Sequence, residues 1–273
     1  MVGPGLIGGS IARGVRTRGL AREVVVVTRH AAAIQAAVDV GAADSGTTDL
    51  ATGVAGAALV VLCAPVGALP GLIRAAWPYL APGAVLSDAG SVKRSVVEAA
   101  LECPARAGVS FVGGHPMAGS ERSGIEASDP DLFEGRLALL TPTTGTPPAA
   151  VAEVTALWEG LGSSVRSLSV EAHDRLVGQI SHLPHLVAYA LVAAVDGEAL
   201  PLAGRGFADT TRIAASAEAL WADIFRQNHG PLLHALERYE AVLRRWRDLV
   251  MRGDFAGLEA ELARAREVRE KLA

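Results

Sequence analysis

Residues 1–14 read MVGPGLIGGSIARG, and the placement of Gly3, Gly5 and Gly8 in that stretch decides the fold class. The GxGxxG spacing opens a βαβ unit that holds a dinucleotide. The first glycine permits a tight turn, the second lets backbone approach a pyrophosphate, and the third lets the following helix pack closely on the strand. Phosphate then sits at the helix N-terminus, where free N–H groups point. In a chain with 30 glycines the spacing alone is weak, but its surroundings strengthen it. Ile7, Ile11 and Val15 form an apolar helical stripe, and residues 24–27 are the β-branched run of a buried parallel strand. Gly3, Gly5, Leu6, Ile7 and Gly8 are therefore the first candidate cofactor-binding residues. About five apolar residues normally precede the fingerprint and only Met1 and Val2 do here, so the first strand reads as cut short and a start upstream of Met1 is expected.

After the second strand, a cofactor without a 2′-phosphate usually meets an Asp or Glu about 20 residues beyond the glycines. Thr28, Arg29 and His30 stand there instead. A hydroxyl beside a guanidinium suits a phosphate, so Thr28 and Arg29 join the candidate cofactor residues and NADP is slightly favoured over NAD. The competing reading makes Arg29 a solvated surface charge.

The rest of the first half alternates strands and helices. Residues 58–64 (ALVVLCA) form a continuous apolar strand ended by Pro65, with a helix over 66–80. Strand 84–87 delivers Asp88, Ala89, Gly90, Ser91, Val92 and Lys93 to the carboxyl edge of the sheet, where ligands of such folds bind. Ser91 there is either a helix cap or a ligand contact. Residues 109–112 end a strand and lead into GGHPMAGSERSG at 113–124, read as a loop of small residues around His115, a side chain able to pass a proton near neutral pH. A plain turn with a capping histidine is the alternative. Strand 136–141, helix 148–161 and strand 164–168 complete the α/β part.

After residue 170 the pattern is helical throughout. A long helix over 173–195 contains SHLPH, with Pro184 expected to kink it between His182 and His185. The two histidines lack the acidic partner pattern of a metal site. Residues 203–216 (AGRGFADTTRIAAS) put Asp209 and Arg212 one helical turn apart. Leu243, Trp246, Leu249 and Val250, then Leu258, Leu262 and Ala265, give apolar faces that a second copy could cover. The fold class is α/β: a Rossmann-like dinucleotide-binding domain over residues 1–169, then an all-α dimerisation domain over 170–273.

Composition narrows the function. With 273 residues, half of them apolar, the chain can bury a proper core without staples. Cys63 and Cys103 indicate neither a disulfide framework nor a zinc cluster and fit a reducing cytoplasm. A net charge of -4 with scattered arginines gives no nucleic-acid footprint. The longest apolar run, 55–73, is broken by Pro65, Gly67, Pro70 and Gly71, so no membrane span is expected, nor is a signal peptide. Lys93 and Lys271 are the only lysines, which removes most lysine-based chemistry.

As a set, GPGLIGGS at 3–10, DAGSVK at 88–93, GGHPMAGSERSG at 113–124, SHLPH at 181–185 and FADTTRIAAS with Trp221 resemble the prephenate and arogenate dehydrogenases of tyrosine biosynthesis. The blocks run in that family's order over almost the whole chain. The resemblance implies hydride transfer from a cyclohexadienol to NAD(P) with loss of CO2. It makes His115 the acceptor of the 4-hydroxyl proton, with Ser91 orienting that hydroxyl as the second catalytic residue. Arg212 would anchor a substrate carboxylate, and His185 with Ser181 would line the side-chain end of the pocket. Glu121 and Asp209 match acidic positions that form an ionic gate beside the arginine, although Asp209 and Arg212 also read as a plain surface pair. His182 reads as structural. The chain has no room for a mutase or regulatory module, so any feedback by tyrosine would act at the active site.

Two other functions compete. A β-hydroxyacid dehydrogenase-like reductase would need a catalytic lysine in the helical part, which holds only Lys271. A module that binds NADP without turnover would need only the glycine loop, not His115, Ser91 and Arg212 together.

Overall fold

The computed structural model describes residues 1–120 and 122–272. Helix α1 (Leu6–Thr17) is followed by β1 (Val25–Val27), α2 (Ala31–Asp39), β2 (Ser45–Thr47), α3 (Leu50–Val54), β3 (Leu59–Leu62), α4 (Leu69–Ala76), β4 (Val85–Asp88), α5 (Arg94–Leu101), β5 (Ser110–Pro116), β6 (Leu137–Thr141), α6 (Pro148–Gly160) and β7 (Ser164–Ser167). From there only helices follow: α7 (Val170–Val177), α8 (Leu183–Ala193), α9 (Arg205–Thr211), α10 (Glu218–Gln227), α11 (His229–Met251) and α12 (Phe255–Glu270).

The sheet is held together at its centre by residues 1–3. Val2 makes parallel bridges to Val27 on one side and Leu62 on the other. The Val2 N–H donates to the Val61 carbonyl at 2.9 Å, the Cys63 N–H to the Val2 carbonyl at 2.7 Å, and the Gly3 N–H to the Val27 carbonyl at 2.9 Å. The strand order is therefore β2, β1, residues 1–3, β3, β4, β5, β6, β7, all neighbours parallel except β5 with β6. Its first six positions are the doubly wound order 3-2-1-4-5-6, whose switch point between the first and fourth strands is where such sheets bind ligands. The amino group of Met1 is buried and donates to the Val25 carbonyl at 2.7 Å; burial pushes its pKa down to about 6. A cavity of about 1190 Å³ occupies the gap between the amino ends of β1 and β3 beside it.

Both faces of the sheet are covered, as parallel strands require. Ile11, Val26, Val61, Val112, Leu140 and Trp158 belong to one core cluster, and Val2, Leu62, Ile73, Leu86, Val96 and Ile224 to the other. Because Trp221 and Ile224 of α10 join the second cluster, the helical region is packed onto the α/β part and not strung beside it.

Two expectations are corrected. His115 does not lie in a loop: β5 extends through it, and it pairs with Leu139 of β6. The small residues before it are needed by the sheet, since a Cβ on Gly113 would meet Thr141 Oγ1 at 2.4 Å and one on Gly114 the Asp88 carbonyl oxygen at 2.6 Å. The SHLPH helix begins earlier, at Val170, and its irregularity is a π-turn at Gly178–His182, upstream of Pro184. Proline lacks an N–H and crowds the carbonyl four residues back, and a wider turn there relieves both. The run Val170–Ala193 is long and apolar enough to cross a bilayer, a test that core helices also pass.

Candidate active site

The three fingerprint glycines meet three different surroundings. Gly3 has φ +84, and a Cβ there would sit 2.2 Å from the Cys63 carbonyl oxygen. A Cβ on Gly8 would lie 2.3 Å from the Gly3 carbonyl oxygen, but one on Gly5 meets nothing within 4 Å. Turn, helix–strand contact and open approach are thus all present, and no side chain caps the N-terminus of α1. These residues fit the pyrophosphate of a dinucleotide. Thr28 and the exposed Arg29 follow β1 directly, at the same carboxyl edge.

Further along this edge, a buried ion pair braces the turn after β4. Asp88 and Lys93 are fully buried and in contact, and the Lys93 ammonium also donates to the Gly114 carbonyl at 2.8 Å. Gly90 N–H and Gly114 N–H donate to the Asp88 carboxylate at 2.8 and 3.2 Å. Satisfied in this way, the pair fixes β4, its turn and β5 relative to one another. Ser91 lies half-buried in the turn but does not cap α5. That cap comes from the helical region: the Asp174 carboxylate accepts from Lys93 N–H at 2.8 Å and Arg94 N–H at 2.9 Å.

Asp174 also reaches the site. Its Oδ1 lies 2.8 Å from His173 Nδ1, and His173 Nε2 lies 2.9 Å from His115 Nδ1, all of it buried. Burial is the largest cause that lowers the His115 pKa, followed by His173, Lys93 and His182, and takes it well below 6.5. His115 is thus a neutral imidazole at pH 7, the state a proton acceptor needs. His182 is packed between this group and the next. Asn228 donates to it at 3.0 Å and to the Asp174 carbonyl at 2.8 Å, and burial brings its pKa to about 4. Beyond it, His185 stacks on Trp221, ring centroids 3.4 Å apart and planes 20° apart, and its Nδ1–H donates to the Ser181 carbonyl at 2.9 Å. Burial and then the nearby Arg212 charge lower the His185 pKa, with the Ser181 bond opposing.

Two family models match the chain: "Prephenate dehydrogenase, nucleotide-binding domain" over residues 11–167 and "Prephenate dehydrogenase, dimerization domain" over residues 169–264. The chain belongs to the prephenate dehydrogenase family. It is 34% identical to the cyclohexadienyl dehydrogenase of Zymomonas mobilis over 93% of this chain and 88% of that protein. The prephenate dehydrogenase of Aquifex aeolicus, solved with hydroxyphenyl propionate and NAD+, superposes with a TM-score of 0.92 at 34% identity, covering 100% of this chain and 96% of that one. Synechocystis arogenate dehydrogenase follows with a TM-score of 0.85 at 31% identity, covering 100% and 98%. The protein is accordingly a dehydrogenase with a nicotinamide cofactor.

Within this prephenate dehydrogenase fold, His115 and Ser91 stand at the carboxyl ends of neighbouring strands β5 and β4. The Ser181 carbonyl and Arg212 lie beside His185, which stacks on Trp221. Asp209 is exposed on α9, and Glu121 lies outside the described residues. Asp88, Lys93 and His182, named from sequence but not joined there, complete a polar network with His173, Asp174 and Asn228, which sequence reasoning missed. The one local signal was Asp88 ending an apolar strand five residues before the chain's only lysine outside its last residues.

Proposed function

We propose that this chain catalyses the oxidative decarboxylation of prephenate to 4-hydroxyphenylpyruvate in tyrosine biosynthesis, in the cytoplasm. The observation that carries this reading is a buried, neutral His115 between the glycine loop's sheet edge and the His185–Trp221 cluster. When bound, the nicotinamide supplies the hydride acceptor. His115 takes the proton of the 4-hydroxyl as the ring becomes aromatic, and Ser91 orients that hydroxyl. Holding the two reactants in register is the larger share of the work. Arg212 binds a carboxylate, His185 and Ser181 line the side-chain end, and Asp209 with Glu121 gates the entrance. Gly3, Gly5, Leu6, Ile7 and Gly8 cradle the pyrophosphate. Thr28 and Arg29 favour NADP slightly over NAD, because a guanidinium pairs with a 2′-phosphate.

Arogenate is the second substrate reading, supported by the likeness to the Synechocystis enzyme. We further propose a division near residue 170 and a homodimer through the helical part. That part exposes Leu202, Met251, Phe255 and Val268, and α12 buries no residue within one chain. Light scattering should give twice the chain mass.

Initial rates of reduced-nicotinamide formation, with prephenate or arogenate crossed against NAD or NADP, test the reading. One substrate should dominate, and His115→Asn should reduce kcat by about 10²-fold or more. Folded protein that turns over neither substrate would return the chain to a binding module.

A further inference from the structure

We propose that His173 and Asp174 are positioning residues that dictate which nitrogen of His115 carries its proton, leaving Nε2 as the bare base. The proposal rests on the reading of His115 as proton acceptor.

The chain of hydrogen bonds starts at Asp174. Burial works to raise its pKa, but hydrogen bonds from His173, Lys93 and Arg94 outweigh this and hold the carboxylate below the usual range. An ionised carboxylate only accepts. His173 Nδ1, 2.8 Å away, must therefore carry a hydrogen. His173 is itself kept neutral, mainly by burial, so with Nδ1 protonated its Nε2 is bare. That bare nitrogen faces His115 Nδ1 at 2.9 Å and can only accept, so the His115 hydrogen is on Nδ1. The remaining nitrogen of His115, Nε2, then holds a lone pair.

An unconstrained imidazole populates both tautomers, and one of them has no base at Nε2. Here the choice is transmitted from a carboxylate through a second ring, over residues separated by 58 positions in sequence. In the reaction the hydroxyl proton forms a bond to Nε2 and its O–H bond breaks. The resulting imidazolium keeps its Nδ1–H bond to His173, and no further proton needs to move. Besides His173, the charged and titratable groups facing His115 are Lys93 and His182. Lys93 is neutralised by Asp88 and His182 is held by Asn228, so neither supplies an acceptor to His115 Nδ1.

The test uses the full chain labelled with ¹⁵N-histidine, with His115 assigned through the His115→Asn variant. At neutral pH its Nδ1 should show the shift of a protonated ring nitrogen and Nε2 that of a bare one. His173→Leu, which removes the acceptor, should show both tautomers and a kcat about 10- to 10²-fold lower, with KM values unchanged; a wrong tautomer in a hydrolase triad costs about 10⁴. His173→Gln, whose amide can accept from His115 and donate to Asp174, should recover most of kcat. A protonated Nε2 in the wild-type protein overturns the proposal, as does a His173→Leu enzyme with the wild-type kcat and pH profile. If that variant does not fold, the wild-type spectrum and His173→Gln decide. The nitrogen shifts judge the tautomer whether or not His115→Asn loses turnover, so the two readings fail separately.

Discussion

The backbone N–H of Gly67 donates to the carboxylate of Asp223 at 2.8 Å, across 156 positions of sequence, and so ties the turn after β3 to helix α10. Asp223 is buried but for a small fraction, while its ion-pair partner Arg226 is largely exposed, so the bond to Gly67 carries most of the interaction. Asp223→Ala should lower stability by about 1.5–3 kcal/mol, the range for hydrogen bonds to charged groups. A urea titration reads this as a lower midpoint at unchanged slope. An unmoved midpoint means that the contact stabilises nothing.

Glycine replacements should separate fold from cofactor. Gly8→Ala drives a methyl to 2.3 Å from the Gly3 carbonyl oxygen, so α1 must shift and both melting temperature and NAD(P) affinity should fall. Gly5→Ala meets open space in the protein alone. It should melt like wild type yet lose roughly tenfold or more in dinucleotide affinity, because its methyl stands where phosphate approaches. Equal loss of melting temperature in both variants contradicts the assignment of Gly5.

Stability should rise with pH. His182 goes from 6.5 unfolded to about 4 folded, chiefly through burial. The unfolded chain binds the proton first as pH falls, so stability is full above the unfolded value and is lost down to the folded one. That window is worth roughly 3 kcal/mol. Urea midpoints measured from about pH 7.5 to about 4.5 should therefore decline, and a flat profile excludes a buried neutral His182.

The acid limb of turnover should lie low. Protonation of His115 removes the base, and burial takes its pKa well below 6.5. At limiting substrate, kcat/KM, which reports the free enzyme, should hold constant down through pH 6.5. A midpoint at or above that value points to another group.

Much of this was legible in the chain. Gly3, Gly5 and Gly8 could be read because their roles depend on neighbours within a few residues, and so could the apolar strands. His115 stands out in the sequence but reads as part of a loop, because GGHPMAGS has turn composition; only the pairing with Leu139, a partner from a distant strand, makes it a strand. Ser91 reads from sequence as either a cap or a ligand contact, but the actual cap, Asp174, is 80 residues from Arg94. His173 and Asp174 sit in a helix start that looks ordinary. Nothing near them in sequence reveals that one neighbour is a base and the other a helix in the opposite half of the molecule.

The position of Asp174 makes the two halves poor spare parts for one another. One carboxylate from the helical half both starts α5 in the nucleotide-binding half and ends the chain of bonds that reaches His115. A chimera that joined this nucleotide-binding half to another helical half would lose a fold element and the orientation of its base in the same stroke, unless the graft carried a carboxylate in the same place.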